Sequence, residues 1–304
     1  MLGLRARVPA TSANLGPGFD TLAVALDRWL EVTVVERQAR RVLTEGEGAE
    51  ELAHDDTNLI WRALTRLCVE AGAEQPEISL AVRNDLPLER GLGSSAAAAV
   101  AGLVLGRALT GAMLGDGELL RLAVELEGHP DNAAAALVGG LVLCQGLRMH
   151  RLTPTDRLRP VICVPEQRLA TGTARGVLPA EVSLADAAAN TGRAAAVLLG
   201  LSGLASWDPG AMTDVLHEPT RLGVLPDTAA LVGAVREQGF AACLSGAGPS
   251  VLAIVPAGDE EATASVRELA RRAPGAWRAS AVEWERAGAT VADGERLQAA
   301  GRKD

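Results

Sequence analysis

Tyrosine is absent from the 304 residues and phenylalanine occurs only twice, so aromatic side chains make up 2% of the chain. A core must therefore be built from Ala, Val and Leu. The stacking platforms that single-stranded nucleic acid needs are all but missing. Basic residues are outnumbered, 29 against 38 acidic, for a formal charge of −9. That balance argues against a nucleic-acid or anionic-membrane surface, which needs clustered Lys and Arg. It leaves room for a small anion, because backbone N–H groups hold phosphate with no local net charge. Cys68, Cys144, Cys163 and Cys243 lie far apart with no C-x-x-C pair, which removes zinc spacing and speaks against a disulfide framework. The four histidines (His54, His129, His150, His217) form no H-E-x-x-H or comparable pair. The longest apolar runs, Ser94–Gly106 and Ala133–Cys144, fall short of the ~20 residues of a membrane span. Arg5, Arg7 and Pro9 interrupt the N-terminus before any apolar signal core. The expectation is a soluble cytoplasmic protein with no nucleic-acid or membrane partner.

What is present is apolar residues at 48%, ample for one large or two medium domains. Leu4–Val8 alternates and leads into a Pro/Gly-rich loop, Pro9–Asp20, and Trp29–Val35 reads as a strand. Residues 38–51 are charged and Gly-rich, a surface excursion. Leu59, Ile60, Ala63, Leu64 and Leu67 form a helical stripe that Gly72 stops, and Ile78–Val82 reads as a strand. Helices are expected from Ser94 or Ser95, either of which is a natural N-cap, and over Gly117–Glu127, 184–201, 227–238 and 260–272. Further strands are expected at Pro160–Val164, within Cys243–Val255 and at Trp277–Trp284, with a polar tail after Asp293. Without a regular βαβ rhythm the elements suggest an α+β fold in two halves, 1–158 and 159–304.

Three polar loops carry the chemical signal. Gly91-Leu-Gly-Ser-Ser95 opens a helix that is apolar nearly all round. Such a turn leaves several N–H donors and the positive helix end aimed at one spot, a polyanion site. No Lys follows the last glycine, so it is not a Walker loop. Pro9–Asp20 offers Asn14 and Asp20 to an ammonium or hydroxyl, and Ser245-Gly-Ala-Gly-Pro-Ser250 is a second place for close backbone approach. Arg175 and Arg221 are cations able to grip a carboxylate bidentately.

Together the loops resemble the motif set of the GHMP kinases: Pro87–Ala97 matches the pattern P-x-x-x-G-L-G-S-S-A-A. Pro9-Ala-Thr-Ser-Ala-Asn-Leu-Gly-Pro-Gly-Phe-Asp20 resembles the opening motif of the homoserine kinases within that superfamily. So do Glu125-x-Glu-Gly-His-Pro-Asp-Asn132, Thr171…Ala174-Arg175-Gly-Val-Leu-Pro179 and Leu216-His-x-Pro-x-Arg221. The likeness spans Arg5 to Val291. Thr21 and Ala23 replace the usual Ser and Gly after Phe-Asp, and Ser250 replaces Thr, all small-for-small changes.

The resemblance implies a two-domain GHMP kinase fold, with an N-terminal half like ribosomal protein S5 domain 2 and a ferredoxin-like C-terminal half. It implies ATP-dependent phosphorylation of L-homoserine in threonine biosynthesis, with Mg²⁺ and possible assembly as a homodimer. By position, Arg175 and Arg221 would clamp the substrate carboxylate, Asp20 and Asn14 would hold the ammonium, and Thr171 and His129 would line the same pocket. Pro87, Leu88, Glu89, Arg90, Gly91, Leu92, Gly93, Ser94, Ser95, Ala96 and Ala97 would wrap the ATP phosphates. Ser95 and Glu125 would sit near Mg²⁺, with Glu127 competing for that role. Some superfamily members place an Asp base where this chain has Asn132. A base-free transfer is therefore expected, with Asn132 orienting the hydroxyl and Asp131 as fallback base. The rivals are a related kinase for a mevalonate-like alcohol, whose substrate lacks an ammonium, and a non-catalytic sensor, which would not need a complete phosphate loop.

Overall fold

A computed structural model describes residues 2–293, excepting the side chain of Thr171; the tail expected after Asp293 lies outside the described residues. In the first half, β1 (Leu4–Ala13), β2 (Leu22–Glu36), β3 (Val42–Gly46) and β4 (Ile78–Asn84) make a sheet to which the hairpin β5 (Leu141–Gln145) and β6 (Arg148–Leu152) is added. Four helices accompany it: α1 (Leu59–Glu70), α2 (Ser94–Thr110), α3 (Asp116–Glu127) and α4 (Asp131–Val138). Like the short α4, α2 is buried along most of its length, as its uniformly apolar sequence predicts. Gly102 explains how close it lies to α1: a Cβ there would stand 2.2 Å from the Ile60 carbonyl oxygen.

β1 and β2 run further than alternation alone indicates. β1 continues through Ala13 into the polar motif because Ala10, Thr11, Ser12 and Ala13 all find partners on β2. β2 begins at Leu22; the polar pair Asp27–Arg28, which breaks its pattern in the sequence, is a bulge where Pro9 faces Trp29 but Ala10 faces Leu26. β3 falls in the charged excursion and is the parallel edge partner of β4.

The second sheet has the order β10-β7-β9-β8, from β7 (Leu158–Pro165), β8 (Ala241–Leu244), β9 (Val251–Pro256) and β10 (Trp277–Ala281). Its helices are α5 (Thr171–Gly176), α6 (Leu184–Leu201), α7 (Glu218–Gly223), α8 (Pro226–Glu237) and α9 (Glu260–Arg272). Alternation sorts its residues between two cores. Val161 and Cys163 pack with Leu231, Val235 and Val266 of α8 and α9, while Ile162 and Leu252 join the core that includes α2 and β1. The final strand, β11 (Thr290–Asp293), returns to the first sheet and pairs antiparallel with β1. The two halves thus share one core, and the polar loops meet at their junction. Among the described residues, no helix is long and apolar enough to cross a membrane, and all four cysteines are free and buried.

Candidate active site

The phosphate-type loop is shaped by positive φ angles at Glu89 (56°), Gly91 (71°) and Gly93 (68°). Gly93, not either serine, is the N-cap of α2, and no side chain caps the helix. Both serines lie inside the helix, which corrects the N-cap expected from sequence. The consequence is chemical: the first-turn amides of a buried helix are left without a side-chain partner, and they face a cavity of about 260 Å³. Glycine is required at two points of this turn. A Cβ on Gly91 would meet the Ser245 carbonyl oxygen at 2.0 Å, and one on Gly93 would meet Thr11 Oγ1 at 1.9 Å.

Those near contacts are the seams between loops. Thr11 N donates to Leu92 O (3.1 Å), Gly246 N to Ala13 O (3.1 Å) and the Ser245 hydroxyl to Gly91 O (2.6 Å). Asn14, at φ 68°, donates Nδ2 to Gly246 O (2.8 Å) and accepts Asp20 N on Oδ1 (3.1 Å). Its amide therefore sets the relative position of the Pro9–Asp20 and Ser245–Ser250 loops while also lining the cavity. Arg90 lines the cavity too, yet its guanidinium donates to Pro165 O (2.7 Å), Glu166 O (2.8 Å) and Leu88 O (3.1 Å). Backbone carbonyls, not an incoming phosphate, satisfy that buried cation.

On the opposite wall, Arg175 forks onto Asp20 at 2.7 and 3.1 Å. Arg221 is almost fully buried, and Phe19 lies 5.4 Å from its guanidinium and 5.7 Å from that of Arg175. Burial, reinforced by neighbouring Arg175, pulls the Arg221 pKa down. His217 orients it. The Gly16 carbonyl 2.9 Å from Nε2 can only accept, so Nε2 carries the proton and Nδ1 receives Arg221 Nη1 at 3.0 Å. Burial lowers the His217 pKa, which keeps the ring in that neutral form. Asp214 Oδ2 holds the start of α7 by accepting the amides of Leu216, His217 and Glu218.

Between the walls lie the residues after α3. His129 Nδ1 donates to Asp131 Oδ1 (3.0 Å), which also accepts the Asn132 amide (2.7 Å). That bond to Asp131 raises the His129 pKa despite the opposing effect of burial. Thr11 Oγ1 donates to Asn132 Oδ1 (2.7 Å), so the Asn132 amide keeps its Nδ2 donors for other partners. Ser95 donates to Glu127 (2.7 Å), whose pKa is raised by burial against the lowering effect of Ser95 and His129. Glu125 does not join them. Two residues apart on a helix means opposite faces, and Glu125 is paired with Arg66 and Arg121 outside the cavity lining. Of the two carboxylates weighed for a metal, Glu127 is the one at the cavity.

The cavity thus brings together Asn14, Asp20, Arg175, Arg221, His129, Asp131, Asn132 and most of 87–96. Leu88 and Ala97 are not in its lining: Leu88 turns toward Gly48, and Ala97 is buried with its amide on Gly93 O. Thr171 opens α5, and its side chain lies outside the described residues. Thr11, Phe19, Ser245 and His217 escaped the site prediction, although all lie inside motifs quoted for it; nothing in the sequence marks a hydroxyl or ring that acts by holding another residue. A hard divalent cation suits Ser95 and Glu127, oxygen donors beside the helix amides. The Glu127 carboxylate, penalised by burial, gains from a positive neighbour. A second cavity of about 330 Å³ adjoins the first through Glu89, Ser94 and Ser95 and is walled by Leu30, Leu52, Ile60, Val82 and Leu88.

The family models for the GHMP kinases N-terminal domain and GHMP kinases C-terminal domain match residues 58–140 and 194–273. The homoserine kinase of Streptomyces avermitilis is 42% identical over 296 residues, 95% of this chain and 95% of its own length. That of Streptomyces coelicolor is 41% identical over 296 residues, 95% and 94% of the two chains. Among solved structures, homoserine kinase from Cytophaga hutchinsonii superposes with a TM-score of 0.83 at 27% identity, covering 96% of this chain and 98% of that one. A two-domain α+β fold, an uncapped helix opposite two arginines and near-complete coverage by these relatives lead to one statement: the chain belongs to the homoserine kinase family of the GHMP kinases.

Proposed function

We propose that this chain transfers the γ-phosphoryl group of ATP to the side-chain hydroxyl of L-homoserine, giving O-phospho-L-homoserine for threonine biosynthesis. One observation carries this. The uncapped start of α2, suited to a polyphosphate, and the Arg175–Asp20–Arg221 group, suited to a zwitterion, line the same cavity. The amino-acid carboxylate is assigned to Arg221 and Arg175, and its ammonium to Asp20. The adjoining, more apolar cavity is assigned to the nucleoside, since it shares Ser94 and Ser95 with the phosphate end. Residues 1–158 supply the phosphate loop, and residues 159–304 supply both arginines.

When Mg²⁺ is bound, Ser95 and Glu127 are its protein-side donors, and it neutralises charge on the phosphates. The chain's own residues do the rest by positioning. Arg221, oriented by His217, and Arg175 fix the acceptor's charged end. Asn132 donates through Nδ2 to the acceptor hydroxyl oxygen, because Thr11 already occupies its carbonyl. Asp131 is given a supporting role, holding His129 and the Asn132 backbone N–H on Oδ1, and transfer is assigned no side-chain base. The new O–P bond forms as the γ–β bridging bond breaks, and the hydroxyl proton leaves on a phosphoryl oxygen.

A coupled ATP-turnover assay with homoserine, mevalonate, galactose and shikimate tests the substrate. Turnover is expected with homoserine alone. Arg221→Ala removes a charged contact of about 1.5–3 kcal/mol, so KM for homoserine should rise about 10–150-fold. Equal turnover with an alcohol lacking the ammonium would overturn the assignment.

A further inference from the structure

The nucleoside-side cavity is built from residues 30 to 98 with a single exception: Arg168, from the second half, completes its wall. Arg168 gets there by pairing with Glu51, which lines the same cavity from the loop after β3. The pair is two-pronged, with Nη2 to Oε1 at 2.7 Å and Nη1 on Oε2. Fork-to-fork contacts of this kind are the surface ion pairs that hold a fixed geometry.

Both partners stand on anchored ground. The Glu51 loop is pinned at its base, where Glu47 N donates to Asn84 O (2.8 Å) and Asn84 Nδ2 to Glu47 O (2.9 Å). Leu52, beside Glu51, lies over Gly48 close to Leu88. The Arg168 segment is tied to the phosphate loop at both ends: Arg90 grips Pro165 O and Glu166 O, and Leu169 N donates to Glu89 O (3.0 Å). A second ion pair, Arg278 to Glu47 (3.5 Å), joins the base of the Glu51 loop to β10, the strand beside β7. The groups facing Arg168 are acidic, Glu51 first and then Glu89 and Glu47, and each favours its cationic form.

We propose that Glu51 and Arg168 form a clasp across the outer wall of the nucleoside cavity, which retains the nucleotide while leaving the amino-acid end untouched. This rests on the assignment of that cavity to the nucleoside. The clasp is a positioning device: neither residue touches the reacting atoms. It acts through its partner, so Glu51→Gln should weaken nucleotide binding as Arg168→Ala does. An arginine acting directly on a phosphate would instead bind more tightly once released from Glu51.

The test is steady-state kinetics of the full chain with ATP and homoserine varied separately, at low and raised salt. Glu51→Gln and Arg168→Ala are each expected to raise KM for ATP about three- to tenfold, with kcat and KM for homoserine within about twofold. The double variant Glu51→Gln with Arg168→Ala should raise KM for ATP no further than either single change, since both remove the same contact. Raised salt should lift KM for ATP in the wild type more than in either single variant. Ala98→Leu, which narrows the same cavity from α2, separates the two levels. If it raises KM for ATP while the clasp variants do not, the clasp is wrong and the cavity assignment stands. If none of the variants moves KM for ATP, the cavity assignment itself falls. Tighter ATP binding in Glu51→Gln, or a double variant whose loss is the sum of the two single losses, also overturns the clasp.

Discussion

Asp131→Asn separates a proton-accepting role from an electrostatic one. Asp131 is buried, and its Oδ1 receives both His129 and the Asn132 amide. If transfer needs no side-chain base, losing the charge removes only support for His129 and Asn132, and kcat should fall by less than about tenfold. Stability should respond more clearly. The bond between protonated His129 and ionised Asp131 is charge-assisted and belongs to the class worth about 1.5–3 kcal/mol. Because folding raises the His129 pKa, this contribution is complete below the unfolded imidazole value near ~6.5 and is lost as pH climbs through the folded value. The variant should therefore lose most stability at about pH 6 and least at about pH 9. Urea unfolding at several pH values gives the stability, and a pH–rate profile of kcat gives the chemistry. A collapse of about 10²–10⁴-fold in kcat, with an unfolding curve matching wild type at pH 9, would make Asp131 the base and refute the mechanism.

Two further outcomes follow from the cavity. Gly93→Ala combines a left-handed backbone with a 1.9 Å approach to Thr11 Oγ1; the backbone alone costs about 1–2 kcal/mol, and displacing Thr11 should cut kcat/KM about 100-fold or more. Thr11→Ala on the same background should restore part of the activity, and no recovery would mean that the Thr11 contact is not the cause. Glu127→Gln should raise the Mg²⁺ concentration needed for half-maximal rate, whereas Glu125→Gln should leave it alone; the reverse order would return the metal to Glu125.

Much of the site was legible because its chemistry is written in short motifs. Asn14, Asp20, Arg175, Arg221, Asn132 and the glycine turn are far apart in sequence, yet each carries a residue type that declares its use, and all line the cavity. What stayed hidden was geometry carried by the backbone. Gly93 displaced the serines as cap because only it tolerates that φ, and a serine inside the first turn looks the same in sequence as one at the cap. Glu125 and Glu127 cannot be told apart without knowing which face of α3 meets Ser95. Asp27–Arg28 read as the end of a pattern because a bulge interrupts alternation without interrupting the strand. The edge strands β3, β6 and β11 are short and, Val42 aside, not buried, so burial leaves little imprint on them.

The last of these strands bears on how the molecule is made. β1 is flanked on one side by β2 and on the other by β11, the final described segment. A growing polypeptide can dock β2, β4 and α2 early, but the outer flank of β1 waits until residues 290–293 have been translated. The N-terminal half emerges from the ribosome with one row of amides and carbonyls open to foreign strands. Closure then requires residues 290–293, and a product halted or clipped before them should be sticky before it is inactive.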